Sequence, residues 1–128
     1  DGFSFFKIRN DTKAYPAFDI QTTNGKTILS AKEGQIKLIF SGDGIGVIPE
    51  DKVNIVINDA QFGDSGYYVS CENSPLGCGI SDFKVTHYDI QQNGQIRASF
   101  SGNIWMQTLN PNLAGTYPVE GVIVSKVQ

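Results

Sequence analysis

The segment QIRASFSGNIWM, Gln95 to Met106, alternates between two kinds of residue. Ile96, Ala98, Phe100, Gly102, Ile104 and Met106 fall on one register, and Gln95, Arg97, Ser99, Ser101, Asn103 and Trp105 on the other. Successive side chains of an extended chain point to opposite faces, so this period of two specifies a long β-strand with one face on a core. A helix would scatter the same apolar residues around its circumference. Gly102, on the apolar register, is where a bulge is expected.

Shorter pieces repeat the pattern. In AFDIQTTNGKTILS the pair Asn24-Gly25 separates Phe18 and Ile20 from Thr27, Ile28 and Leu29, the signature of a hairpin with a type I′ turn. QIKLIF (Ile36, Leu38, Phe40) and KVNIVIN (Val53, Ile55, Ile57) also alternate. Between them SGDGIGVIPED, glycine-rich and containing Pro49, reads as a loop or a bulged edge. ISDFKVTHYDI places Phe83, Val85 and His87 on one face and Lys84, Thr86 and Tyr88 on the other, and QQNGQ turns the chain. TYPVEGVIVSKV is a β-branched run suited to a strand buried on both faces or paired centrally. No segment carries a sustained helical period. About eight to ten strands with hairpin-length connections specify an all-β fold, an antiparallel sandwich with a barrel as the second choice. With no linker and no internal repeat, residues 1–128 are expected to form one domain.

Both cysteines lie in CENSPLGC, Cys71 to Cys78. Six intervening residues do not match the CxxC redox motif. A zinc site needs four ligands, and the chain offers two Cys and the single His87. Pro75 and Gly77 favour a reversing turn that brings the two thiols together, so a Cys71–Cys78 disulfide is expected, and with it an oxidising location: secreted, periplasmic or cell-surface. The chain opens DGFSFF without Met, as it would after loss of a signal peptide, a lipid-anchor segment or a preceding domain.

Charge excludes one class of partner. Ten Lys and Arg residues spread along a chain of net charge -3 leave no basic stripe for nucleic-acid phosphates. No apolar run is long enough to span a bilayer as a helix.

No catalytic constellation stands out. His87 and Asp89 lie two apart on one strand, but Ser81 is six residues from His87, about 20 Å in an extended chain, so no triad forms within the strand. Asp43, Glu50, Asp51, Asp59, Asp64, Asp82 and Asp89 fall at strand ends and turns, where Asp caps its own backbone. SGDGIG around Asp43 lacks the regular calcium-loop spacing, and it lacks the Lys and helix of a phosphate loop. No cofactor and no metal site are expected.

Trp105 is the informative anomaly. It falls on the polar register with Arg97, Ser101 and Asn103, so alternation points a large ring away from the core. An exposed indole among amide and hydroxyl groups can stack on the C–H face of a sugar while its neighbours bond the hydroxyls. Cover by a second sheet, a loop or the N-terminal FSFF, or a register flip at Gly102, would bury it instead. Tyr67, Tyr68, Tyr88 and Tyr117 are further candidates for such a surface, though only one of the adjacent pair Tyr67 and Tyr68 can be outward.

From residue 53 onward, GYYV (Gly66 to Val69), KVTHYDI, IRASFSG (Ile96 to Gly102) and VEGVIV (Val119 to Val124) follow one another in the order seen in some small bacterial β-domains. The chain there resembles the secreted or lipid-anchored domains of Bacteroidetes-type cell-envelope lipoproteins. Ala98 and Ser99 stand where that pattern has a glycine before the central Phe, and the resemblance carries no catalytic residues. The expected function is that of a non-enzymatic exported or cell-surface binding domain, engaging a glycan through Trp105, Arg97, Asn103 and Ser101. The alternative is a structural or protein-interaction module, adhesin-like or accessory, using the SGDGIGVIP edge and the N-terminal aromatics.

Overall fold

The computed structural model describes residues 4–15, 18–42, 44–58, 67–107 and 115–127. Eleven strands form there: β1 Ser4–Ile8, β2 Asp11–Tyr15, β3 Asp19–Thr23, β4 Lys26–Ala31, β5 Ile36–Ser41, β6 Gly46–Val47, β7 Val53–Asn58, β8 Tyr67–Val69, β9 Asp82–Tyr88, β10 Gln95–Met106 and β11 Gly115–Lys126. One 3-10 turn, Glu50–Lys52, follows Pro49. The count exceeds the sequence expectation because the polar β2 and the two-residue β6 show no alternation to read.

All strands pair antiparallel in one sheet, in the order β2-β1-β11-β10-β8-β7-β5-β4-β3, with β9 also on β10 and β6 on β9. The sheet curls over as a half-barrel, an outcome within the expected sandwich-or-barrel class. The curl follows from β10, whose one edge serves two neighbours in turn: β9 along Ile96–Ser101, then β8 at Trp105 and Met106. Its other edge pairs with β11 without interruption from Gln95 to Met106.

That unbroken ladder corrects the bulge expected at Gly102. The glycine marks the changeover instead: a Cβ there would strike the Gly79 carbonyl oxygen and come within 2.8 Å of Ile80 Cα. The register shift lies on β9, opposite Arg97 and Ala98, where Thr86 is the extra residue. It also corrects the faces read from KVTHYDI. Phe83 and Val85 are buried as expected, but His87 turns outward with Thr86, and Tyr88 packs against the core.

Asn24 (φ 51°) and Gly25 (φ 77°) form the β3–β4 turn with the two positive φ angles of type I′. β11 sits centrally between β1 and β10, although its burial alternates, so only one face is in the core. The core is a line of aromatic rings. Phe6 meets Tyr15 and Phe18 on one side and Phe100 edge-on at 5.5 Å; Phe100 stacks on Phe83 at 6.0 Å, and Phe83 contacts Phe40 at 5.2 Å. Gly121 lies between Phe6 and Phe100 in the ladder, and its missing side chain leaves the room the Phe100 ring occupies.

Buried hydroxyls tie the layers together. Thr27 Oγ1 donates to the Gly42 carbonyl at 3.0 Å, so the Tyr88 hydroxyl, 2.8 Å away, donates to Thr27 and links β4 to β9. Ser70 Oγ accepts from Ile55 N–H at 2.7 Å, and Ser125 Oγ donates to the Phe18 carbonyl at 3.1 Å. Each satisfies a backbone group that the ladders leave over. No helix among the described residues is long and apolar enough to cross a membrane.

Candidate functional site

The outward face of β10 is set by the same alternation that fills the core. Ile104 and Met106 are buried inward, so Trp105 between them points out and is partly exposed. No register flip intervenes at Gly102.

Cys71 and Cys78 form the disulfide. Its loop is fastened at both feet: Glu72 N–H donates to Asn54 Oδ1 at 3.0 Å, and Gly79 N–H to the Ser70 carbonyl at 2.9 Å. Gly79 in turn accepts from Asn103 N–H at 2.9 Å, which lays the returning chain beside β10. Within the loop, turns close from Ser74 N–H to the Cys71 carbonyl and from Gly77 N–H to the Ser74 carbonyl, with Asn73 and Gly77 at positive φ.

Loop and strand together enclose a cleft of about 160 Å³, bounded by Trp105, Asn103, Thr116, Ser74 and Leu76. Part of the indole is committed to packing. Val69, directly across the ladder from Trp105, is fully buried yet lies outside the main core cluster, so a small apolar patch sits on the outer side of the sheet there. Trp105 also lines the cleft, together with the Asn103 amide and the hydroxyl residues Ser70, Ser74 and Thr116. Tyr67, a diagonal cross-strand neighbour of Trp105 on the same face, is also partly exposed.

The four expected ligand-binding residues separate. Trp105 and Asn103 share the cleft. Ser101 lies further along β10, opposite Asp82 on one side and Glu120 on the other. Arg97 is eight residues from Trp105, about 27 Å along a strand, paired opposite His87 and bonded through Nε to Gln95 Oε1. It belongs to the opposite end of the face. His87 is exposed there, opposite Arg97, and Asp89 is spent on capping: its Oδ1 accepts from Gln91 N–H at 3.1 Å. Asp43, Asp59 and Asp64 lie outside the described residues. Among those described, no three His, Cys, Asp or Glu side chains gather as a metal site requires.

Three tyrosines are engaged elsewhere. Tyr68 is fully buried, Tyr88 is held by Thr27, and Tyr117 lies under the Arg9 guanidinium, 4.4 Å from ring centroid to Cζ. Arg9 Nη2 also donates to the Tyr68 hydroxyl at 3.1 Å, which holds the guanidinium pKa above its ordinary value against a smaller opposing effect of burial. Arg9 thus ties the turn after β1 to Tyr68 on β8 and Tyr117 on β11.

Sequence reasoning missed Thr116 and Ser74. Thr116 shares a register with Pro118 and Glu120 in TYPVEGVIV, but nothing in the sequence says that β11 pairs beside β10, so its nearness to Trp105 was not legible. Comparison with family models, with curated proteins and with solved structures yields no match.

Proposed function

We propose that this protein is a non-catalytic, exported or cell-surface binding domain that takes a sugar ring in the Trp105 cleft. The carrying observation is an outward, partly exposed indole in a cleft with Asn103, Thr116 and Ser74, the apolar plate and hydrogen-bonding groups that a pyranose presents surfaces for. The disulfide that closes the loop forming the cleft wall fits an oxidising compartment, and the resemblance to envelope β-domains agrees with it. The test is a glycan array probed with the wild-type protein and with Trp105→Ala. Binding that is lost in the variant supports the reading; binding that survives the substitution refutes it.

A second reading is favoured by β6. Ile45, just before it, and Val47 within it are 70% and 69% exposed, unusual for large apolar side chains, and among the described residues β6 pairs only with β9. An edge of that kind can take an extended segment of a partner protein as an added strand. Ile45→Lys with Val47→Lys abolishes an association of this type and leaves sugar binding intact.

A further inference from the structure

The Trp105 cleft does not stand alone on its face. Along the outer side of β10 the next depression, about 360 Å³, is lined by Ser101 and Pro118 with the charged Lys7, Arg9 and Glu120. A third, about 320 Å³, shares Ser101 and Glu120 with it and continues past Ser99 to Phe5 and Val122. The ladders put these residues in rows: Trp105 beside Thr116, Asn103 beside Pro118, Ser101 beside Glu120 and then Lys7, Ser99 beside Val122 and then Phe5. Small side chains on β10 form the floor, with the indole at one end. From Trp105 to Ser99 is six residues, about 20 Å of strand.

Resting on the proposed sugar reading, we infer that the cleft is one end of a longer groove whose ligand is a linear, uncharged glycan chain lying along β10. Length argues for a chain, since a single ring occupies only the cleft. Charge argues for a neutral one. Lys7 Nζ and Glu120 Oε1 are 3.9 Å apart and offset each other, Arg9 directs its guanidinium to Tyr68 and Tyr117, and Asp82 lies opposite Ser101. Two cations, Lys7 and Arg9, thus stand against two carboxylates, Glu120 and Asp82, so a polyanion gains no net charge attraction along the groove. Ser99, Ser101 and the Lys7–Glu120 pair instead offer donors and acceptors in the alternation that sugar hydroxyls match.

The experiment is a titration of wild type, Ser101→Tyr and Lys7→Ala with mono-, di-, tetra- and hexasaccharides of neutral linear glucans, mannans and xylans, and with acidic oligogalacturonates as the charged counterpart, followed by Trp105 emission and by calorimetry. Both substitutions lie on the outer face of a strand, and far-ultraviolet circular dichroism checks the fold. The inference expects wild-type affinity to rise at least about tenfold from disaccharide to hexasaccharide. Ser101→Tyr fills the second depression and returns the hexasaccharide to the disaccharide level while leaving the disaccharide unchanged; Lys7→Ala reduces the gain. Raising the salt concentration changes the affinity by less than about twofold. Equal affinity for all lengths in wild type overturns the groove and leaves the cleft reading standing. Binding confined to acidic polysaccharides and abolished by salt overturns the neutral chain. Trp105 emission that no sugar of any length alters overturns both.

Discussion

Replacing Cys71 and Cys78 together by Ser tests how much of the site depends on the staple. The cross-link closes a loop of eight residues, Cys71 to Cys78. By the chain-entropy relation such a loop costs the unfolded state about 8 cal/mol/K, so the double variant should lose about 2.5 kcal/mol at 25 °C. For a chain of 128 residues the unfolding entropy near the midpoint is about 0.27 kcal/mol/K, which converts that loss to a fall of about 9 °C in Tm. The retained bonds at Asn54, Ser70 and Asn103 hold the loop's feet, so the folded variant keeps its β-sheet signal. Its effect on Trp105 is separate and local: Ser74 and Leu76 lose their fixed place at the cleft, and the indole becomes more accessible to iodide. Urea unfolding of both proteins, followed by circular dichroism and by Trp emission, reads both effects. Coincident midpoints together with unchanged quenching would falsify the claim that the disulfide holds the loop against β10.

Two other substitutions probe the frame beneath the site. Gly102→Ala should destabilise by about 1–3 kcal/mol, because the added Cβ meets the backbone of Gly79 to Ser81 rather than a movable side chain; a wild-type Tm would contradict the close approach. Thr27→Val keeps the shape but removes the hydroxyl shared by Gly42 and Tyr88, and chemical denaturation should report a loss of about 1–3 kcal/mol, with no loss refuting the bridge between β4 and β9.

Much of the frame was legible because alternation is a direct consequence of strand geometry. β10 appears in the structure with the faces its sequence specified, and Asn24-Gly25 turns the β3–β4 hairpin as those two residues allow. The staple was legible too, since a turn between two nearby cysteines leaves few alternatives. The faces of β9 were misread because an extra residue at Thr86 reverses them beyond that point, and no composition marks such a shift. Gly102 signalled an irregularity correctly but not its kind; close approach of a neighbouring backbone and a bulge demand the same residue. At the site, Trp105 and Asn103 were found because they lie on one strand. Thr116, Glu120 and Lys7 were not, because they reach that face through the pairing of β10 with β11 and of β11 with β1, which is a property of topology rather than of any local pattern.

The most direct test of the sugar-binding claim uses the single tryptophan as its own reporter. Iodide quenching of the folded protein, repeated during titration with neutral oligosaccharides, follows Trp105 alone. A sugar-binding Trp105 gives emission that iodide quenches in part and that bound sugar both shifts and protects. Emission that iodide cannot reach, or that stays unchanged through every titration, would contradict the claim and transfer the search for a partner to the Ile45 and Val47 edge.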